Sequence, residues 1–236
     1  MIALLCPADL ISMLNAIFGF LAIILLIIPS PQQSVMIRGS FIFLLLAFLA
    51  DGLDGVVARR TEKGSLGPYL ESMADFSSTG IATVFFIFYR IISIIDMENI
   101  MVILGVVTII LVYLFCVLLR LASFHPLQTT NHYYGLPAPA AALVLLSCAY
   151  LFIPLIAILF LLMVIALLMI APIQYMKPIM PLNILTALLI ILVIIFDTFL
   201  DGLFIWILIF LIGAYVVIGP IFEMKRKNGK NWLKNG

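Results

Sequence analysis

Long apolar runs separated by short polar stretches are the dominant pattern of this chain. A helix of about 20 apolar residues crosses a bilayer, and about eight such windows fit this sequence. The predicted spans lie near Leu10–Ile28, Phe41–Ala58, Pro68–Tyr89, Ile100–Leu121, two spans divided at Pro154 between Gly135 and Pro172, Leu182–Phe199 and Leu203–Phe222. The pattern predicts an all-α, polytopic membrane bundle, with a single transmembrane domain over residues 1–222 and a basic tail over residues 223–236.

Composition supports this class. Hydrophobic residues make up 66% of the 236 positions and charged residues 10%, whereas a soluble domain carries about 45–50% and about 25%. A net charge of +1 gives no electrostatic reason to expect a nucleic acid as partner. The three cysteines are odd in number and form no Cys-x-x-Cys, so neither a disulfide framework nor a thiolate metal site is predicted. The first apolar segment lacks a basic leader and a small-residue cleavage site, so no cleavable signal is predicted.

The positive charges predict an orientation. With eight spans, both termini share one side of the membrane, and ten of the twelve Lys and Arg residues fall on that side. Only Arg38 and Arg90 fall opposite. Because cytoplasmic loops carry the excess of Lys and Arg, we expect a multi-pass protein of the cell membrane with both termini cytoplasmic.

Four of the five acidic residues in the 25-residue stretch 51–75, all except Glu62 in the polar connection, are the strongest candidates for chemistry. Asp51 and Asp54 are three residues apart on the second predicted span, and Glu71 and Asp75 are four apart on the third, so each pair shares a helix face. The short polar connection makes the two helices antiparallel neighbours, open to the cytoplasm. Hard divalent cations prefer carboxylate oxygens, and an unpaired charge at membrane depth is costly. The sequence therefore predicts a divalent-metal site.

Less specific interpretations exist for single positions. Asp51 and Asp54 are each compatible with an ordinary acid at a helix end, and Glu71 with an ion pair to Arg59 or Lys63. Four acids on two facing helices are not explained in this way, because such a cluster needs a compensating cation. Asp197 and Asp201, near the opposite end of the bundle, are predicted to be turn residues.

Small and basic residues near the acids have two interpretations each. Gly55 and Ala58 lie on the acidic face, where small side chains permit either close approach of a nucleotide or close helix packing. Gly67 opens the third span, where backbone N–H groups are able to hold phosphate. Arg59 and Arg120 lie at cytoplasmic helix ends, where an arginine commonly serves as an interface anchor; the alternative for Arg120 is a bond to an anionic substrate group.

These residues resemble the signature of the CDP-alcohol phosphotransferase family, D-x-x-D-G-x-x-A-R-x₈-G-x-x-x-D-x-x-x-D. The matching positions are Asp51, Asp54, Gly55, Ala58, Arg59, Gly67 and Asp75. Two positions depart from the signature: the gap between Arg59 and Gly67 is one residue shorter, and the third acid is Glu71. Glutamate keeps the charge and both oxygens and adds one methylene.

Three further segments are similar to the phosphatidylserine synthase branch of that family, whose pattern archaetidylserine synthases share. They are residues 7–23, residues 119–124 with Ser123 in place of an arginine, and residues 134–141. The resemblance extends to about Leu145, and the family's common core has six spans, so two spans are additional.

The resemblance implies transfer of a phosphatidyl or archaetidyl group from CDP-diacylglycerol or CDP-archaeol to L-serine, with release of CMP. It implies a homodimer in membrane lipid and two divalent ions, magnesium or manganese with calcium as an alternative. The implied metal ligands are Asp51, Asp54, Glu71 and Asp75, with Asp75 also the general base. The residues implied to contact nucleotide or phosphate are Gly55, Ala58, Arg59, Gly67, Ser12 and Asn15, and Arg120 is implied to bind phosphate or the serine carboxylate.

Two rival functions follow from the same residues. The first keeps the fold and uses inositol phosphate, glycerol phosphate or another alcohol as the acceptor. The second is a divalent cation transporter whose acids line an ion path. The acids cluster near one membrane face rather than at the midplane, which favours the enzyme.

Overall fold

A computed structural model of the protein describes residues 6–58, 66–94, 99–124, 132–151 and 154–232. The helices are α1 (Pro7–Ile27), α2 (Gln33–Ala58), α3 (Gly67–Asp75), α4 (Thr83–Ile92), α5 (Ile100–Phe124), α6 (Ala138–Tyr150), α7 (Leu155–Ile170), α8 (Met180–Phe196) and α9 (Leu203–Trp232). A π-helical segment, Phe76–Ala82, joins α3 to α4, and a 3₁₀ turn, Phe199–Gly202, precedes α9. Two strands, β1 (His132–Tyr134) and β2 (Gln174–Met176), pair antiparallel.

The predicted all-α membrane bundle is confirmed. Among the described residues, five helical runs are long and apolar enough to cross a bilayer: Pro7–Ile27, Gln33–Ala58, Gly67–Ile92, Ile100–Ser123 and Leu203–Phe222. The helices α6, α7 and α8 are apolar but shorter. The predicted division at Pro154 is confirmed as well, because α6 ends at Tyr150 and Pro154 is the N-cap of α7.

Two helix boundaries and one pair of strands differ from the sequence prediction. Helix α2 begins at Gln33 rather than near Phe41, and α9 continues past Phe222 to Trp232, so the start of the predicted basic tail is helical. The strand pair was not predicted. Hydropathy windows detect the apolar part of a helix and not its polar ends, and three-residue strands are too short to show a periodic pattern.

Helix α6 is the centre of the bundle. Its residues from Ala141 to Ala149 are all buried, and it packs against α2, α4, α7 and α9. A helix that is buried on every side has no polar face, which accounts for a buried stretch made mostly of Ala, Leu and Val, with Ser147 and Cys148 as the exceptions. Around it, α1 packs along α2 and α5 packs along α7.

A buried polar network ties several helices together at one end of the bundle. Asp197 follows α8, as predicted for a turn residue, but its carboxylate is buried and forms a salt bridge with Arg38 of α2. The Tyr150 hydroxyl donates to the other carboxylate oxygen at 2.8 Å, and the Tyr150 ring stacks on Phe41 at 3.9 Å between centroids. Arg90 of α4 donates to the last carbonyls of α6. The turn interpretation of Asp197 was therefore incomplete, because the sequence could not show its partners.

Candidate active site

The four predicted acids come together between α2 and α3. The Asp51 and Asp75 carboxyl groups lie within hydrogen-bonding range of each other across the two helices. Glu71 is near enough to Asp51, Asp54 and Asp75 to interact electrostatically with each of them. Asp54 and Asp75 are buried, and Asp51 and Glu71 are half-buried.

The donor set of this cluster fits a hard divalent cation. Two carboxylates in contact repel each other in a low-dielectric environment unless a proton or a cation lies between them, and every donor is a carboxylate oxygen. Within the described residues, no three His, Cys, Asp or Glu side chains are close enough together to hold one ion as they stand. Metal binding by the cluster therefore remains a prediction.

Helix α1 forms a third wall of the site. The family resemblance implied that two of its residues contact nucleotide, but their bonds to the acids were not predicted. Its buried face carries three polar residues at a spacing of three, Asp9, Ser12 and Asn15. The Ser12 hydroxyl donates to Asp54 Oδ2 at 2.6 Å, and the Asn15 amide Nδ2 donates to Asp75 Oδ1 at 3.1 Å. Both side chains were predicted to contact nucleotide; in the structure each one contacts a carboxyl group.

The π-helical segment begins directly after Asp75 and lets α1 come close. A Cβ atom at Gly19 of α1 would lie 3.1 Å from the Ser78 Cα, so the two backbones are in contact. The Thr79 hydroxyl donates to the Asp75 carbonyl at 2.6 Å, and the Thr83 hydroxyl donates to the Ser78 carbonyl at 2.9 Å. Hydroxyl groups thus satisfy carbonyls within the widened turn. The hydroxyl-rich run Ser77-Ser-Thr-Gly80 lies inside this segment, and the π-helical turn was not predicted from it.

Asp9 is a buried acid that the sequence analysis did not assign. Its Oδ2 accepts a hydrogen bond from the Cys6 N–H at 2.9 Å, which caps the start of α1. Its Oδ1 would lie 3.0 Å from a Cβ at Gly67. Gly67, a predicted phosphate contact, is thus the first residue of α3 and packs against α1; its role toward phosphate remains a prediction.

The remaining predicted nucleotide contacts lie at the end of α2 or directly after it. Gly55 and Ala58 are half-buried near the end of α2, four and seven residues beyond Asp51 on the same helix. Arg59 lies outside the described residues. Nucleotide binding by these residues therefore remains a prediction.

Arg120 is buried at the end of α5 and belongs to a second polar cluster. Its Nε donates to the Leu136 carbonyl at 3.1 Å, and it interacts electrostatically with Tyr133 and Tyr215. Gly135 fixes Leu136 in place: its φ is +76°, and a Cβ there would lie 2.1 Å from the Met169 carbonyl oxygen. The predicted bond of Arg120 to an anionic substrate group remains a prediction.

Comparisons with known proteins show which family this chain belongs to. Archaetidylserine synthase of Methanothermobacter thermautotrophicus is 34% identical over 143 residues, which are 59% of this chain and 55% of that protein. CDP-diacylglycerol–serine O-phosphatidyltransferase of Methanocaldococcus jannaschii is 33% identical over 141 residues, 59% of this chain and 58% of that protein. The match spans a little over half the length of each relative. The family model for CDP-alcohol phosphatidyltransferase matches residues 5–172, from the start of α1 to the end of α7. The chain belongs to the CDP-alcohol phosphatidyltransferase family.

Proposed function

We propose that this protein transfers a phosphatidyl or archaetidyl group from a CDP-lipid to L-serine and releases CMP. The observation that carries the proposal is the contact between Asp51 and Asp75, inside the segment that the family model matches. The names of both similar proteins favour serine as the acceptor rather than inositol phosphate or glycerol phosphate.

The reaction is a substitution at phosphorus. The serine hydroxyl oxygen bonds to the phosphorus on the lipid side, and the bond from that phosphorus to the CMP oxygen breaks, with the electron pair leaving on CMP. Asp75 accepts the hydroxyl proton as general base. Divalent ions held by Asp51, Asp54, Glu71 and Asp75 would, when bound, neutralise the negative charge of the pyrophosphate.

The remaining site residues bind and orient the substrates in this proposal. Gly55 and Ala58 allow the nucleotide to approach α2, and Gly67 presents the first turn of α3 to phosphate. Arg59 and Arg120 bind anionic groups, with Arg120 directed to phosphate or to the serine carboxylate. The proposed cofactor is a pair of divalent ions, magnesium or manganese, with calcium as an alternative. The protein is proposed to act as a homodimer in the cell membrane. The site opens to the cytoplasm.

The test is CMP release from CDP-diacylglycerol and from CDP-archaeol in mixed micelles, with and without L-serine. We expect release that requires both serine and a divalent metal, and we expect Asp75→Asn to lower it by roughly 10²–10⁴-fold, the usual effect of a general base. Asp201→Asn is the matched control, because Asp201 lies in the 3₁₀ turn before α9 with φ of 53°, a conformation that asparagine tolerates.

Two outcomes would contradict the proposal. Equal CMP release with inositol phosphate or glycerol phosphate in place of serine would show a different acceptor. Metal flux into proteoliposomes without CDP-lipid, together with no CMP release, would instead favour the transporter.

A further inference from the structure

We propose that Ser12 and Asn15 are positioning residues, which hold the carboxyl groups of Asp54 and Asp75 in place rather than contact the nucleotide. This inference rests on the proposed function for its kinetic consequences. Its basis is a one-to-one pairing across the site, in which Ser12 bonds Asp54 and Asn15 bonds Asp75.

The two contacts are long-range and buried. Ser12 and Asp54 are 42 residues apart in sequence, and Asn15 and Asp75 are 60 apart. Ser12 is 4% exposed and Asn15 is fully buried, so neither bond competes with water. Because the donors lie three residues apart on one helix, they face the same way and reach acids on two different helices. A single rigid helix thus sets the orientation of both carboxyl groups.

The orientation of the Asn15 amide follows from its partner. A carboxyl oxygen accepts, so the NH₂ group faces Asp75 and the carbonyl oxygen points elsewhere. That Oδ1 atom is buried and has no hydrogen-bond partner among the described residues. An unpaired buried acceptor costs free energy, and a leucine of similar size would avoid that cost in an apolar helix. Packing alone therefore does not explain why position 15 is an asparagine. The need to hold the Asp75 carboxyl group in one orientation does explain it.

The chemical consequence differs for the two acids. Residues that hydrogen-bond a metal ligand typically change metal affinity by 10–100-fold when they are removed. Ser12 holds Asp54, a predicted metal ligand only, so its loss should act through metal affinity. Asn15 holds Asp75, which is also the predicted base, so its loss should act on turnover even when metal is saturating.

The test uses Asn15→Leu and Ser12→Ala in the full chain, with Mn²⁺ binding followed by electron paramagnetic resonance in the absence of substrate. We expect both variants to bind Mn²⁺ roughly ten-fold more weakly. At saturating Mn²⁺ we expect Ser12→Ala to regain the parent kcat and Asn15→Leu to remain roughly 10–100-fold below it, with the KM for CDP-lipid within about two-fold of the parent. Ser12→Thr keeps the hydroxyl and should restore Mn²⁺ affinity.

Ser147→Ala is the control for fold. Ser147 of α6 is fully buried, and its hydroxyl has no partner in the part of the chain that the structure describes. This variant should leave Mn²⁺ affinity and kcat unchanged. In Asn15→Leu the lost bond to Asp75 is offset by removal of an unpaired buried acceptor, so its unfolding temperature should stay close to that of the parent.

Three results would overturn the inference. A raised KM for CDP-lipid with unchanged Mn²⁺ affinity would make Ser12 and Asn15 nucleotide contacts. Losses that follow the unfolding temperature would make them structural. A parent chain that binds no Mn²⁺ would show that Asp54 and Asp75 are not metal ligands, so Ser12 and Asn15 would have no ligands to orient.

A parent chain that binds Mn²⁺ but shows no serine-dependent CMP release would contradict the proposed function alone, because the Mn²⁺ titrations would still decide the roles of Ser12 and Asn15.

Discussion

At the scale of single residues, a glycine sets the distance between α1 and the acids. A Cβ at Gly19 would lie 3.1 Å from the Ser78 Cα, and a backbone atom does not move aside as a side-chain end does. We expect Gly19→Ala to push α1 from the π-helical segment, to destabilise the fold by about 1–3 kcal/mol and to lower CMP release. Gly105→Ala, with nothing within 4 Å of its Cβ, is the matched control. Parent-like stability and rate in Gly19→Ala would show that α1 has room to move.

Single residues also show how far the sequence could predict the site. The grouping of Asp51, Asp54, Glu71 and Asp75 follows from their spacing on two helices joined by a short connection. The partners of Ser12 and Asn15 do not follow, because these contacts cross between helices and depend on how α1 packs. The three-residue spacing of polar residues in α1 was visible in the sequence and would have indicated a polar wall.

At the scale of elements, the salt bridge between α2 and α8 predicts unequal effects of its two partners. The Arg38 side chain is 44% exposed and that of Asp197 is fully buried. Removing the arginine leaves a buried carboxylate with only the Tyr150 hydroxyl as a described partner, whereas neutralising the aspartate leaves a cation that water reaches. We expect Arg38→Ala to destabilise the fold by about 3 kcal/mol and Asp197→Asn by about 1 kcal/mol.

Denaturant unfolding of the two variants in the same detergent measures this difference. Arg90→Lys serves as a comparison with the two salt-bridge variants. It keeps the positive charge but loses the two-pronged guanidinium group that donates to the last two carbonyls of α6. An Asp197→Asn variant at least as unstable as Arg38→Ala would contradict the assignment of the buried charge to Asp197.

Elements also mark where pattern-based prediction ends. Helix existence and the break at Pro154 follow from apolar run length and from proline chemistry. The π-helical segment and the β1–β2 pair depend on local hydroxyl bonding and on tertiary contacts. Tyr215 of α9 donates to the Met176 carbonyl at 3.0 Å, so β2 is held by a helix that follows it in sequence. A sequence window centred on β2 does not reach Tyr215, so this contact could not be predicted from the local pattern.

At the scale of the whole molecule, the polar groups divide between the two ends of the bundle. The Arg38–Asp197 pair and Arg90 lie where α2 begins and where α4 and α8 end. The acids and the strand pair lie at the opposite end, since β1 follows α5 and β2 follows α7. Polar groups can be separated between the two ends in this way only if successive helical runs point in alternating directions. The predicted topology of eight spans has the same alternation.

The same division gives a test of orientation, because it fixes which positions share a side. In a Cys6→Ser background, the remaining Cys116 and Cys148 are buried and should give little labelling. We expect Gln32→Cys, in the exposed turn between α1 and α2, to react with a membrane-impermeant maleimide on intact cells. Lys177→Cys, directly after β2, should react only after the membrane is opened. The physical reason is the excess of Lys and Arg on the Lys177 side, which is retained in the cytoplasm. Labelling of Lys177→Cys on intact cells, with protection of Gln32→Cys, would place the acids at the outer face, where the proposed reaction with cytoplasmic serine cannot take place.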